Sequence, residues 1–367
     1  SQRDAEITLG VYRRIPVLAL DGVDSPPGRR FSFSQGLFNM ASDSALFRTS
    51  EDLIAVGARF TGWSWESEDS RWLPLYEAKM LGHFDHRFAT YEGASQAQVN
   101  KGTLPRLGDS RHDDPNVEPL ARYWVSEREV ADAIGDEGGQ DWFLGWRDIT
   151  HPANERTFIP SVFPRSAVGA TELLMRTGEQ AELCGLLMAW SSFGFDYLSR
   201  QKLAGSHMTW FVERQLPAPA ADDLLQTPNW LKVPLLEWGK PRLLELSFTS
   251  HRLASFARDL GDQGLPFRWI PQRREAIRCE LDAAMFHAYG FDRAEAEHVM
   301  DSFSVLRKYE ERDHGEFRTK RLVLETYDAM AEAAATGVPY QTPIDPPPGF
   351  GPRHDPSTRP DWLKESS

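Results

Sequence analysis

The spacing of apolar side chains divides the chain into a mixed first half and a helical second half. Apolar residues recur every three or four positions in residues 272–289, 293–303 and 320–335, and this period predicts helices. Short runs of bulky apolar residues at 142–146 and 157–159 predict strands instead. We therefore expect a mixed α+β fold, with a mixed sheet and flanking helices in its first part and a helical C-terminal lobe.

Residues 193–217 predict a helix, a turn and a strand in succession. Phe193 and Tyr197 recur at helical spacing, and the pattern breaks near Gly205, where glycine permits a backbone that other residues resist. Residues 208–212 are rich in side chains that favour strands.

The predicted turn carries polar groups that suit contact with a nucleic-acid backbone. Arg200 and Lys202 lie in the last turn of the predicted helix, and Gly205, Ser206 and His207 follow. Glycine lets a polymer backbone approach closely, and the short side chains offer hydrogen bonds. A plain helix-turn-strand connection would have the same composition, so both interpretations stand at this point.

A second polar centre lies between the two predicted strands of residues 142–164. Its candidates for DNA contact are Arg147, Thr150, Asn154 and Arg156. Arginine and asparagine suit bidentate hydrogen bonds to guanine and adenine edges, and threonine contacts phosphate or the thymine methyl group. An ion-pair network that braces a sheet, from Arg147 to Asp148 or from Glu155 to Arg156, explains these residues equally well.

Residues 75–91 are predicted to start as a helix, and they contain His83, Asp85 and His86. Two histidines three positions apart share one helix face, and with a carboxylate they suit a metal ion or acid–base chemistry. No third strong ligand lies at motif spacing. We therefore predict no metal here, and a metal-dependent hydrolase stays as an alternative.

These stretches together resemble one class of DNA-modifying protein. Residues 193–217 are similar to the end of target-recognition domains in type I specificity subunits and TaqI-like specificity regions, which finish with a helix, a Gly-Ser/Thr turn, a short strand and a Leu-Pro-x-Pro exit. Four further stretches resemble, in order and spacing, the C-terminal half of the type IIG-like adenine-specific DNA methyltransferases of BREX and DISARM phage defence: 75–91, 142–164, 276–291 and 315–330. The resemblance covers roughly residues 1–335.

The resemblance implies a division of the chain and a set of partners. The implied parts are a connector from an upstream catalytic domain (1–50), a target-recognition domain (51–245), a helical lobe (246–335) and, beyond the resemblance, an extended proline-rich tail (336–367). Double-stranded DNA and the upstream methyltransferase domain are the implied partners, and other subunits of a defence system are further candidates. Lys79 and Arg87 are additional implied contacts to DNA or to the upstream domain.

The motifs of methyl transfer are missing from this sequence. Amino-methylation of adenine needs a glycine-rich loop for S-adenosylmethionine and an Asp/Asn/Ser-Pro-Pro-aromatic tetrapeptide for the extruded base. The nearest string, residues 345–348, has proline where the aromatic ring belongs. We therefore expect no catalytic residues and no cofactor in this part, with S-adenosylmethionine bound upstream, and no methyl transfer by this part alone.

The charge of the chain restricts the DNA interpretation. A net charge of -13 over 367 residues argues against indiscriminate binding, because neutralising phosphates needs clustered Lys and Arg. The charge is uneven: residues 109–137 hold nine acidic and three basic residues, whereas 307–321 hold six basic and four acidic. A local basic surface is compatible with this distribution. An acidic protein-interaction module that docks other defence subunits is the main alternative function.

Cysteine usage and hydropathy indicate the compartment. Cys184 and Cys279 lie in apolar helical settings, which suits reduced core thiols in a cytoplasmic protein. No apolar run approaches the roughly 18 to 20 residues that span a bilayer. We expect a cytoplasmic protein with no membrane partner.

Overall fold

The computed structural model of the chain describes residues 1–18, 31–135, 140–177 and 179–364, and it confirms the mixed α+β class. The strands are β1 (Ser32–Ser34), β2 (Arg59–Phe60), β3 (Trp65–Glu66), β4 (Arg71–Tyr76), β5 (Trp124–Ser126), β6 (Trp142–Arg147), β7 (Pro160–Pro164), β8 (Ala167–Val168) and β9 (Glu172–Arg176). The helices are α1 (Gln2–Arg14), α2 (Ser50–Ala55), α3 (Gln96–Asn100), α4 (Asp109–His112), α5 (Glu127–Ile134), α6 (Gln180–Ser191), α7 (Phe193–Lys202), α8 (Trp210–Glu213), α9 (Ala221–Leu224), α10 (Leu235–Ser247), α11 (Ala254–Asp259), α12 (Pro271–Tyr289), α13 (Arg293–Asp301), α14 (Ser304–His314), α15 (Arg318–Thr336) and α16 (Asp361–Lys364). Within these ranges no helix is long and apolar enough to cross a membrane.

One antiparallel sheet separates two hydrophobic cores. Its strand order is β1-β9-β6-β7. Side chains of a strand alternate between the two faces of the sheet, so Leu144 and Trp146 of β6 enter the larger core whereas Phe143 enters the smaller one. Strand β9 shows the same alternation, with Leu173 in the larger core and Leu174 in the smaller core. The sheet is therefore buried on both faces.

The larger core contains the helical lobe, and α12 lies at its centre. Helix α12 packs against α6, α7, α10 and α15. It begins with Pro271, whose fixed φ suits the first helical position, and ends at Gly290 with φ of 69°. Ile277, Leu281 and Met285 form its predicted apolar stripe, and all three are buried. The predicted helical C-terminal part is confirmed.

The second sheet has the order β2-β3-β4-β5, and β8 pairs with β4 in parallel. Strand β4 ends at Tyr76, so the helical start predicted for residues 75–91 is wrong. Leu73, Leu75 and Tyr76 are all buried, because this strand is covered on both faces. A strand that is covered on both faces has a continuous apolar run, which resembles a helix in sequence.

Two predicted strands are also absent where they were expected. Residues 208–212 enter the short helix α8 instead, and the rings of Trp210 and Phe211 stack with centroids 3.6 Å apart. Strand propensity depends on an available partner strand, and here aromatic packing replaces strand pairing. At residues 157–159 the backbone N–H of Thr157 donates to the carboxylate of Asp196, and the strand begins only at residue 160.

The two ends of the described chain are attached to the body of the fold. Asp4 of α1 accepts hydrogen bonds from Tyr197 and His298, each at 2.8 Å, and β1 pairs with β9. The region predicted as a connector therefore contributes to the larger core. In the proline-rich tail, Tyr340 donates to Glu280 of α12 at 2.7 Å, so the tail lies along the helical lobe.

Candidate nucleic-acid interface

Asp196 joins the two polar segments that the sequence singled out. It lies in the first turn of α7, and its side chain is fully buried. Its carboxylate accepts from Arg156 Nε at 2.8 Å, from Arg200 Nε at 3.0 Å and from the backbone N–H of Thr157 at 2.9 Å. Residues 147–157 and 193–207 are therefore neighbours, although about 40 residues separate them along the chain.

The two arginines bound to Asp196 serve the structure of the loop. Arg156 also donates to the carbonyl of Ser191 at 2.7 Å, and its guanidinium lies 4.2 Å from the ring of Phe193. Arg200 donates to the carbonyls of Asn154 and Glu155, and burial lowers the pKa of its side chain. The bracing interpretation is thus the better one for Arg156, but its carboxylate partner is Asp196 and not Glu155. Arg200, for which no ion pair was predicted, pairs with the same carboxylate.

The turn after α7 is exposed and is held in place by residues 148–150. The N–H of Thr150 donates to the carbonyl of Ser206 at 3.0 Å, and His207 Nδ1 lies 2.8 Å from Asp148 Oδ2. The side chain of His207 is 58% exposed. A β-carbon at Gly205 would meet no atom within 4 Å, so the approach to this turn is open.

The structure places the predicted contact residues in three different settings. Lys202, Gly205, Ser206, His207 and Asn154 are exposed, and Lys202 forms no ion pair among the described residues. Thr150 is buried, and its hydroxyl donates to the carbonyl of Thr157 at 2.6 Å. Lys79 is only a quarter exposed and pairs with Glu77 at 3.0 Å. Direct contact by Thr150 is therefore wrong for this conformation, because its hydroxyl is buried and already engaged.

Arg87 is also fully buried, which corrects its predicted role. Its guanidinium donates to the carbonyls of His112, Asp114, Val117 and Thr249 and to the hydroxyl of Thr249. These bonds connect the end of α4 and the loop after it with the residues before α11. Arg87 is a structural link between these two regions and does not reach a ligand.

A cleft of about 680 Å³ opens beside this surface. It lies between residues 82–88, residues 147–159 and helices α12 and α14, and it brings five arginines together. Those arginines are Arg106, Arg147, Arg156, Arg274 and Arg278. Arg106, Arg274 and Arg278 were not predicted from the sequence as site residues. A signal was present for two of them, because Arg274 and Arg278 are four residues apart and share one face of a helix.

Burial determines the charge states at the floor of the cleft. It lowers the pKa of Arg147 to about 10 and that of Arg274 to about 9, so both guanidinium groups stay charged at neutral pH. Burial also lowers the pKa of His83 well below its usual value, and the nearby cations Arg156, Arg278 and Arg147 add to this shift. The imidazole of His83 is therefore neutral at pH 7.

Burial has the opposite effect on the acids at this site. It raises the pKa of Asp282 to about 6, against the opposing influence of Arg156 and Arg278. It also raises the pKa of Glu172, a fully buried neighbour of Arg147. Both shifts follow from the cost of charging a carboxyl group away from water.

His83, Asp85 and His86 do not form one site. His86 Nε2 lies 3.1 Å from Glu118 Oε2 and 3.2 Å from Ser250 Oγ, and His112 Nε2 lies 3.1 Å from Asp85 Oδ2. His83 and Asp85 line the cleft, and His86 does not. In the part of the chain that the structure covers, no group of three His, Cys, Asp or Glu side chains could hold a metal ion.

The basic stretch 307–321 does not provide a free cationic surface. Five of its six basic side chains pair with carboxylates, and Lys308 is the one without an ion pair among the residues described. Arg318, for example, lies 3.0 Å from Glu275, and Lys320 lies 2.8 Å from Asp301. The positive charge of this stretch is therefore largely neutralised within the lobe itself.

Comparison with known proteins gives no further guide to function. The chain matches no protein-family model, no curated protein and no solved structure.

Proposed function

We propose that this chain is the DNA target-recognition part of a site-specific adenine DNA methyltransferase of a restriction-modification or phage-defence system. One observation carries the proposal. The two polar segments that resemble recognition-domain sequence are joined through Asp196 and through the Thr150–Ser206 hydrogen bond into one exposed surface. We call this the recognition surface; its residues are Asn154, Lys202, Gly205, Ser206 and His207.

Each member of the recognition surface has a role that its chemistry suits. Lys202 supplies a positive charge for a phosphate, and the carboxamide of Asn154 matches the adenine edge in the major groove. Ser206 and His207 provide hydrogen-bonding groups beside the open approach to Gly205. Arg156 and Arg200 hold this surface from behind, and a rigid support favours selective contacts.

The charge of the chain limits how tightly this part holds DNA alone. The recognition surface offers one lysine, and the rest of the chain is acidic. We therefore propose weak, salt-sensitive binding, with the other phosphate contacts and S-adenosylmethionine supplied by a catalytic domain. The proposal places the protein in the cytoplasm, and the two free, buried cysteines Cys184 and Cys279 are compatible with that compartment.

A second function is favoured by a specific observation at the edge of the second sheet. Ile54 and Val56 are 61% and 63% exposed, and Phe60 of the edge strand β2 is 37% exposed. Exposed apolar side chains beside a strand edge suit contact with another protein. The alternative is thus a module that docks other subunits of a defence complex, and it does not require the recognition surface to contact DNA.

The DNA proposal predicts a change in the salt dependence of binding when Lys202 and His207 are removed. Fluorescence anisotropy of a labelled mixed-sequence duplex is measured at several salt concentrations with the parent chain and with a Lys202→Ala/His207→Ala variant. Loss of one phosphate contact lowers the affinity for all sequences and reduces the salt slope by about 1. The matched control is Lys232→Ala, which removes an exposed lysine outside both polar segments.

Two results would contradict this proposal. One is equal affinity and equal slope for the parent and the double variant. The other is failure of the parent chain to bind duplex even at low ionic strength. In either case the docking function becomes the better account.

A further inference from the structure

Most of the arginines in the cleft beside the recognition surface form no ion pair. Of its five arginines, Arg156 is paired with Asp196. The other four have no carboxylate within 4.0 Å among the described residues: Arg106, Arg147, Arg274 and Arg278. Unpaired guanidinium groups gathered in one concave site are the usual means of binding an anionic group.

The carboxylates that line the same cleft are mostly engaged by other groups. Glu275 pairs with Arg318 at 3.0 Å, and Asp85 lies 3.1 Å from His112. Glu310 accepts from the N–H of Thr319, and Asp109 accepts from the indole of Trp269. Asp282 accepts from the N–H of Phe193. Glu155 is the one acid of the lining for which the described residues provide no such partner. Arg318 lies outside the lining, so it offsets the charge of Glu275 from behind the cleft wall.

Buried polar atoms of the cleft are incompletely hydrogen-bonded and so point to a ligand. Nε of Arg147 is inaccessible to solvent and has no hydrogen-bond partner, although another nitrogen of this guanidinium donates to the carbonyl of Leu81. The ring nitrogens of His83 are also inaccessible to solvent and form no hydrogen bond of normal geometry, although the backbone of Phe158 lies near enough to act on the imidazole. Leaving a buried donor unsatisfied is unfavourable. A ligand that accepts hydrogen bonds would remove this cost.

Aromatic side chains hold several of the arginines in place. The guanidinium groups of Arg106 and Arg147 lie 4.9 and 5.1 Å from the ring of Phe88, and Arg274 lies 3.6 Å from the ring of Trp269. Stacking fixes the plane of each guanidinium before a ligand arrives. Such planes also suit stacking on a nucleobase.

We propose that this cleft binds a nucleotide through its phosphate group, with Arg106, Arg147 and Arg278 around the phosphate and His83 as a hydrogen-bonding group. The cleft volume of about 680 Å³ lies within the range of about 300 to 1,000 Å³ that is usual for small-molecule sites. The nucleotide is either free or a unit of a DNA strand. If the ligand is a free nucleotide, this inference does not depend on the proposed DNA-recognition function. If the ligand is a unit of a DNA strand, the inference rests on that function.

The test uses variants that remove charge without removing buried contacts. The side chains of Arg106 and Arg278 are exposed and form no hydrogen bond or ion pair among the described residues, so we expect Arg106→Ala/Arg278→Ala to leave the fold intact. Binding of 2′-deoxyadenosine 5′-monophosphate to the full chain is measured by calorimetry, beside deoxyadenosine and inorganic phosphate as probes. We expect the monophosphate to bind more tightly than deoxyadenosine, and the double variant to bind it about tenfold more weakly or worse. The matched control, Arg128→Ala, removes an arginine that is 89% exposed outside the cleft, and its affinity is expected to equal the parent's.

Competition with duplex DNA distinguishes the two sources of the nucleotide. Displacement of the monophosphate by duplex, together with weaker duplex binding by the double variant, identifies a unit of a DNA strand. Retention of the monophosphate in the presence of bound duplex identifies a free nucleotide. The inference is overturned if deoxyadenosine binds as well as the monophosphate, or if neither the monophosphate nor the duplex loses affinity in the double variant. The Lys202→Ala/His207→Ala variant separates the proposals, because it weakens duplex binding and leaves binding of the monophosphate unchanged.

Discussion

Replacing Arg87 with alanine is expected to lower the free energy of unfolding by about 3 to 5 kcal/mol. The guanidinium is fully buried and donates at 2.6 to 3.1 Å to four carbonyls and one hydroxyl, on His112, Asp114, Val117 and Thr249. Alanine would leave most of these acceptors without partners and would open a cavity between two regions of the chain. Urea denaturation followed by tryptophan fluorescence measures the loss.

Two further variants show whether the effect belongs to the hydrogen bonds of Arg87. Arg87→Lys keeps the charge but not the planar fork of donors, so it is expected to recover only part of the stability. Arg128→Ala removes a surface arginine and is expected to change stability by no more than about 0.5 kcal/mol. An Arg87→Ala protein as stable as the Arg128→Ala protein would show that Arg87 is not a structural link.

Replacing Asp196 with alanine is expected to cost about 3 to 5 kcal/mol of stability and to weaken duplex binding as well. The change leaves Arg156 and Arg200 partly buried without their shared carboxylate, and it removes the acceptor for the N–H groups of Thr157 and Phe158. The loop that carries Asn154 then loses part of its attachment to α7, because only the hydrogen bonds from Arg200 to the carbonyls of Asn154 and Glu155 are independent of Asp196. Denaturation and duplex anisotropy on the same protein measure the two effects.

The matched comparison for Asp196 separates charge from shape. Asp196→Asn keeps an acceptor of nearly the same size. We therefore expect its free energy of unfolding to lie between that of the parent and that of Asp196→Ala. Asp132→Ala removes an exposed carboxylate from a surface pair and serves as the control. Equal stability of the Asp196→Ala and Asp132→Ala proteins would contradict the bracing role of Asp196.

The helical lobe was predictable because its sequence pattern and its environment agree. Ile277, Leu281 and Met285 recur at helical spacing, and all three face the core. The errors lie where a contact distant in sequence decides the local structure. The N–H of Thr157 is taken by Asp196, and β4 resembles a helix because it is covered on both faces. Neither contact has a local signature in the sequence.

The location of the candidate site was predictable from the sequence, but the roles of its individual residues were less predictable. The sequence identified both segments of the recognition surface, but residue type does not reveal whether an arginine faces solvent or a buried carboxylate. Arg200 is largely buried against Asp196, whereas Lys202, two residues later, is exposed. In α12 the apolar stripe has a clear sequence pattern, and the pair Arg274 and Arg278 on another face was overlooked.

The most direct test of the DNA-recognition account is to map where duplex DNA touches the chain. A duplex with photoreactive groups attached to its backbone phosphates is cross-linked to the full chain, and the modified peptides are identified by mass spectrometry. The account predicts cross-links in residues 150–157 and 202–209, which become weaker in the Lys202→Ala/His207→Ala variant. Cross-links confined to residues 307–321 or to residues 54–60, with none in the recognition surface, would contradict it.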